Sequence, residues 1–324
     1  MKAFLRISIA IFAVIILTFV LFCSIHKLPT KQLKIEDIKS ISVLNFNKDR
    51  RMKYEQNLKN KFGKYFLGHK IKDLRLKNTC NGKKELVAEN IVNGKIVTYN
   101  DVKDKEGYSV FKDGIWKICS KYKKNECIYY MQNTNILLKR MVYSDNKKFN
   151  AFGCSFSHMR AIEKIAKQPD DTYGLIFEDD FDVSDNFDND IKEAFKAVPK
   201  DFDILKLTLD GISIEKRRRK LLFIKALKEE IKSYIKNGYD EWIDLSVQNE
   251  MNRKLSVGAQ AYLVSSQGAR KILSFVRNNI TLCVADIDMF YYIPKFNNDI
   301  KAYFYTGKVP FFLLDSCKVS TIDI

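Results

Sequence analysis

The segment "LIFEDD", residues 175–180, sets three bulky apolar residues directly against three carboxylates. A short apolar run that follows a turn sequence, here "QPDDTYG", reads as a buried strand, and a strand buried on both faces belongs to a sheet covered by helices. Consecutive carboxylates at the end of such a strand repel one another, more strongly as the local dielectric falls. Open α/β sheets bind ligands beyond the carboxyl ends of their strands, which is where this cluster falls. A bound divalent cation would remove the repulsion. Side chains alternate along a strand, so Glu178 and Asp180 point one way and Asp179 the other. Hard oxygen donors with no His or Cys beside them in the sequence select Mg²⁺ or Mn²⁺ over zinc. Such an ion is suited to bridging a diphosphate and neutralising a nucleoside diphosphate as it leaves.

The acidity continues to Asp190, seven carboxylates in all without one Lys or Arg. Asp182, Asp185 and Asp188 read as a solvated loop. An EF-hand starting at Asp180 fails, because Asp185 takes the sixth position, where the turn needs Gly, and Ile191 takes the twelfth, where the bidentate Glu belongs.

Strands and helices alternate around this segment. "SISVLNF" at 40–46 is β-rich and leads into a charged helical stretch, 47–62, with Met52, Leu58 and Phe62. Residues 67–140 differ in texture: "VNGKIVTYND" and "FKDGIWKI" place Asn-Gly and Asp-Gly between β-prone runs, the signature of hairpins in an inserted segment. The alternation then resumes with "SHMRAIEKIAK" as a helix with Met159, Ile162 and Ile165 on one face. After the acidic segment, Ile191, Ala194, Phe195 and Val198 sit at helical spacing and Pro199 ends that helix. "DFDILKLTL" and "GAQAYLVS" are further strands, and Ser266 is placed to cap a helix bearing Ala269, Ile272, Leu273 and Val276.

Between Arg6 and His26 lie nineteen uncharged residues, and about twenty residues of helix cross a hydrocarbon core. Phe22 and Ile25 are bulky where a signal protease needs small side chains, so residues 1–30 read as an uncleaved membrane anchor ahead of a soluble part, 31–324. Lys2 and Arg6 on one side balance Lys27, Lys31 and Lys34 on the other, which leaves the orientation open. The net charge is +17, with "KRRRK" at 216–220. No nucleic-acid-binding motif accompanies it, so no nucleic acid is expected, and a basic surface suits anionic lipid or an anionic acceptor. Seven Cys occur without a C-x-x-C pair and read as reduced thiols.

"SVLNFNKDRR", "GCSFSHMRAI", "LIFEDD", "DFDILKL", "GAQAYLVSSQGARKIL" and "VADIDMF" occur in the order seen in glycosyltransferase family 25, which the chain resembles over about half its length. That family includes bacterial lipooligosaccharide galactosyltransferases and the collagen galactosyltransferases. The resemblance implies a GT-A-type nucleotide-sugar-binding α/β fold, here with an inserted β-hairpin-rich segment and an N-terminal transmembrane helix. It also implies a UDP-sugar donor, a glycan acceptor such as lipooligosaccharide, and a D-x-D-like metal site at Glu178-Asp179-Asp180 for Mn²⁺ or Mg²⁺. Asp180 would coordinate the cation, with Glu178 and Asp179 binding ribose or supporting the metal.

Arg50 and Arg51 follow the first strand, where a guanidinium grips phosphate. His158, in "SFSH" at the mouth of a helix, joins the donor site. Direct displacement at the sugar carbon needs a carboxylate to take the acceptor's proton, and Asp288, or failing it Asp286, is the expected base. The chain departs from the family at Ala151, where Glu is usual, and residues 211–255 carry no recognisable pattern. A bacterial protein of this kind would sit in the inner membrane with its catalytic domain in the cytoplasm, where the donor is made. Two other classes fit the same residues: a glycan-binding module that has lost catalysis, and a basic protein binding lipid or nucleic acid.

Overall fold

The computed structural model describes residues 29–44, 79–105, 108–123, 125–132, 144–178, 181–183, 186–208, 242–246, 258–282, 285, 288–306 and 311–313. Its strands are β1 (Thr30–Lys31), β2 (Ile38–Leu44), β3 (Leu86–Asn90), β4 (Ile96–Thr98), β5 (Gly114–Ser120), β6 (Cys127–Gln132), β7 (Tyr173–Glu178), β8 (Phe181–Val183), β9 (Val198–Pro199), β10 (Ile204–Lys206), β11 (Trp242–Asp244), β12 (Ala261–Ser265), β13 (Ile280–Thr281), β14 (Ala302–Tyr305) and β15 (Phe311–Leu313). They form a mixed α/β molecule with a six-stranded sheet, a five-stranded sheet and two short pairs.

The six-stranded sheet has the order β11-β14-β10-β12-β7-β2. β2 is parallel to β7, and β10 to β14. β12 runs antiparallel between β7 and β10, and β11 antiparallel beside β14. β2, β7, β10 and β14 therefore all point the same way and end along one edge. The two-residue period is visible in the packing. Ile176, Ile204, Tyr262, Val264, Ala302 and Phe304 enter one apolar core, while their neighbours Leu175, Phe177, Leu205, Leu263 and Tyr303 enter another on the opposite face.

The first core is covered by two helices, Asp145–Ala166 and Ser266–Asn278. The second is covered by the Phe187–Lys196 helix, through Ile191, Ala194 and Phe195, with Val198 packed just beyond it. That stripe is the one the spacing predicts. The helix stops before the β9 residues Val198–Pro199, because proline cannot continue it.

The long helix starts at Asp145, twelve residues before the "SHMRAIEKIAK" stretch that sequence periodicity picks out, so His158 lies in its interior and not at its mouth. The periodicity is blurred because the helix is sandwiched between two sheets. Phe149 and Phe152 pack against Phe111 of the five-stranded side, while Ile162 and Ile165 face the central sheet's core. A helix buried on several sides loses its polar stripe. Its first turn is anchored by buried charge: Lys148 Nζ lies 2.7 Å from Asp145 Oδ1, and Asp145 accepts from the Val110 and Phe111 N–H groups. Gly153 lets the helix press against the Gly82 backbone, and a Cβ on Gly82 would collide with the Phe149 carbonyl oxygen.

The five-stranded sheet has the order β13-β6-β5-β3-β4. The β3–β4 hairpin turns at Asn93-Gly94 as the sequence suggests, with Gly94 at φ +61 and Asn90 Oδ1 accepting from the Val92 and Asn93 N–H groups. Asp113-Gly114 is not a hairpin turn. Gly114, at φ +130, opens β5, and the chain reverses at 121–126 instead. The helix after β12 is capped by Ser265, one residue earlier than expected, whose Oγ accepts the Gly268 N–H at 2.9 Å.

The expectation that all cysteines are reduced thiols is corrected at one pair. Cys119 and Cys127 stand directly opposite each other on antiparallel β5 and β6 and form a disulfide. Their spacing in sequence is unlike any motif; the strand register brings the sulfurs together. Among the described residues no helix is long and apolar enough to cross a membrane. The anchor expected at 7–25, the helix read at 47–62 and the basic run 216–220 lie outside the described residues.

Candidate functional site

The carboxyl edge of the central sheet gathers polar side chains on the face that carries the long helix. Glu178 closes β7 two residues after core residue Ile176, so alternation turns it to that face. On β12, Tyr262 has the same parity, and Gln260 continues the row. On β10, Lys206 and, two residues later, Thr208 do likewise. The ladder holds them in line: Glu178 N–H donates to the Gln260 carbonyl at 3.0 Å, and Leu207 N–H to the Ala261 carbonyl at 3.1 Å.

His158 reaches this row from the long helix. It is fully buried, with Nδ1 2.7 Å from the Tyr262 hydroxyl and Nε2 3.1 Å from Glu178 Oε1. The imidazole stacks on the Tyr262 ring with centroids 5.7 Å apart. Burial pushes the Tyr262 hydroxyl well above its usual pKa, and the Glu178 charge adds to the shift, so it stays protonated. In the neutral relay, Tyr262 O–H donates to Nδ1 and Nε2–H donates to the carboxylate, which orients Glu178. Cys154, one helical turn before His158, completes a group in which thiol, imidazole and carboxylate ligand atoms all lie within 4.8 Å of one another.

The far side of the row is closed by the π-helical turn Asp288–Tyr292. Phe290 meets the Tyr262 ring edge-on at 5.3 Å, and the Lys206 ammonium lies 5.1 Å from its centroid. Asp288 is buried, and its Oδ1 accepts the Leu282 N–H at 2.9 Å. Burial raises the Tyr292 hydroxyl, and the Asp288 charge raises it further. Two buried oxygens at this edge, Thr208 Oγ1 and Gln260 Oε1, have no hydrogen-bond partner among the described residues.

Of the residues named from sequence, Glu178, His158 and Asp288 lie at this edge, the first two in direct contact. Arg50, Arg51, Asp179, Asp180 and Asp286 lie outside the described residues. One argument is corrected: the acidic cluster has neither His nor Cys beside it in the sequence, yet the fold sets both Cys154 and His158 against Glu178. Sequence reasoning alone does not single out Cys154, Lys206, Thr208, Gln260 or Tyr262. The available signals were the i, i+4 spacing of Cys154 and His158 and a lone lysine at an inward position of "DILKL".

A comparison with protein families matches residues 108–290 to glycosyltransferase family 25, described as an LPS biosynthesis protein. The chain belongs to glycosyltransferase family 25. The matched span contains the edge residues from Cys154 to Phe290 and ends two residues before Tyr292. Membership in family 25 makes the chain a glycosyltransferase, with a sugar donor and a glycan acceptor. No curated protein matches the chain.

Proposed function

We propose that this family 25 member moves a hexose, galactose by the family resemblance, from a UDP-sugar to a glycan of the cell envelope, on a GT-A-type domain held at the membrane by residues 7–25. The observation that carries this reading is the alignment of Glu178, Gln260, Lys206 and Thr208 on one face at the carboxyl edge, where the acidic segment begins. An α/β sheet binds nucleotides there.

The oxygens present fit a hard cation. Glu178 offers a partly exposed carboxylate, and Gln260 Oε1 on the adjoining strand is a buried oxygen without a partner. Asp180 and Glu178 would hold Mn²⁺ or Mg²⁺, which when bound neutralises the diphosphate leaving group. Asp179 would meet the ribose, and Arg50 and Arg51 the phosphates. His158, itself fixed by Tyr262, holds the Glu178 carboxylate in one orientation. Asp288, steadied by the Leu282 N–H, would accept the proton of the acceptor hydroxyl, with Asp286 as the other candidate.

The test is a screen of UDP-sugars with the full chain in detergent, reading metal-dependent release of UDP and its transfer to acceptor, alongside calorimetry of UDP. Asp180→Asn should abolish Mn²⁺-dependent UDP binding while the fold survives. Unchanged UDP affinity with the same metal dependence would remove Asp180 from the site.

A further inference from the structure

We propose that Cys154, His158 and Glu178 form a second cation site, selective for a thiophilic divalent ion such as Zn²⁺ and mutually exclusive with the donor-site role of Glu178. Three different ligand types converge within 4.8 Å, from two elements of the fold. A tetrahedral zinc site with ligand bonds of about 2.0–2.3 Å needs its donor atoms about 3.3–3.8 Å apart. The His158 Nε2 to Glu178 Oε1 distance of 3.1 Å is already close to that, and the Cys154 Sγ lies within 4.8 Å of both.

The outer partner is also present. A histidine that binds a metal through one ring nitrogen is normally held by a hydrogen bond at the other. Here Nδ1 lies 2.7 Å from the Tyr262 hydroxyl, so with Nε2 on the ion, Nδ1–H donates to that oxygen. Charge balances as well: a thiolate, a carboxylate and a neutral imidazole together cancel a divalent cation, which a buried site favours. Glu178, partly exposed at the strand end, leaves a side open for water as a fourth ligand. Thiolate and imidazole favour zinc or cobalt over the hard cations that suit carboxylates alone.

Zn²⁺ in this group would pull Glu178 away from donor binding, so micromolar zinc would inhibit transfer even with Mn²⁺ or Mg²⁺ present. Binding itself is read without donor, acceptor or turnover, and its result is therefore independent of the proposed transfer reaction.

The experiment uses the full chain in detergent. N-ethylmaleimide labelling of Cys154, followed by peptide mass spectrometry, is compared with and without Zn²⁺. Co²⁺ is then added alone and the thiolate-to-cobalt absorption band recorded. Zn²⁺ should protect Cys154, Mg²⁺ and Mn²⁺ should not, and Cys154→Ser should lose the cobalt band while keeping its circular dichroism. Tyr262→Phe should weaken Co²⁺ binding about 10–100-fold through the lost outer hydrogen bond. Labelling unaffected by Zn²⁺, equal protection by Mn²⁺, or a cobalt band that persists in Cys154→Ser would each overturn the site. The labelling arm needs no variant, so a misfolded mutant cannot rescue or sink the proposal.

Discussion

Two buried polar clusters touch the same long helix, and they are built in opposite ways. Two residues beyond His158, on the side facing the five-stranded sheet, the Arg160 side chain is 5% exposed and held by two carboxylates. Its Nε and Nη2 donate to Glu126 at 2.7 and 2.6 Å, and Nη2 also reaches Glu85 at 3.1 Å. Burial alone would lower the guanidinium pKa, but Glu126, Cys80 and Glu85 together outweigh it and the net shift is upward. At the carboxyl edge, by contrast, Thr208 and Gln260 bury oxygens with no partner. An unmade buried hydrogen bond costs about 1–3 kcal/mol, a cost that the paired Arg160 guanidinium avoids. The closed cluster ties the long helix to the starts of β3 and β6 in the five-stranded sheet, and the open one includes the edge residues of the proposed donor site.

The largest effect that would sharpen this contrast falls on turnover. Asp288→Asn keeps the side-chain volume but removes basicity, and transfer should fall about 10²–10⁴-fold with UDP affinity spared. Transfer within threefold of the parent would refute the assignment, and a selective collapse in Asp286→Asn would move it two residues upstream.

Next comes Arg160→Met. It strands Glu126 and Glu85 beside a buried apolar chain and should cost about 3 kcal/mol of stability, read by denaturant unfolding. A loss below about 1 kcal/mol would mean the closed cluster is not structural.

The neighbouring Cys80 supplies a smaller, pH-dependent test. Burial pushes its thiol up from 9.0 to about 12, with the Arg160 charge opposing. Between those values the unfolded chain loses a proton that the folded chain keeps. Stability should therefore decline from about pH 9 upward, by at most about 1.4 kcal/mol per pH unit, and Cys80→Ala should flatten that slope.

The smallest change, and the sharpest test of the comparison, is Thr208→Val. It removes an unpaired oxygen at nearly constant shape, so stability should hold or rise by up to about 1 kcal/mol, while donor binding weakens. Unchanged UDP-sugar affinity would mean that the empty valence at Thr208 serves no ligand.

The disulfide bears on the compartment as well. A bond of this kind persists in oxidising compartments, whereas the UDP-sugar of a bacterial cell is cytosolic. Rapid alkylation of intact cells, reading whether Cys119 and Cys127 are oxidised, reports whether the domain sits in a reducing or an oxidising compartment.

Local patterns were legible wherever one face of an element meets a single environment. "LIF" reads as a strand because both of its faces are buried, and Ile191, Ala194 and Phe195 read as a helix because only one face is. Asn93-Gly94 reads as a turn because Gly adopts positive φ without steric cost. The same logic failed for the first half of the long helix, where contacts on both sides erase the period, and at Asp113-Gly114, where a positive φ opens a strand instead of turning a hairpin.

What the chain alone determined is the alternation of strands and helices and the acidic end of β7, because side-chain period and turn chemistry act over a few residues. Tertiary structure decided which distant groups meet. His158 and Tyr262 are 104 residues apart in sequence, and Arg160 and Glu85 are 75 apart. Such pairs are set by strand order and by which helix covers which face, and no local spacing encodes either. Cys119 and Cys127 are close in sequence, yet even they depend on the register of β5 against β6, since a slip of one residue would turn the thiols to opposite faces.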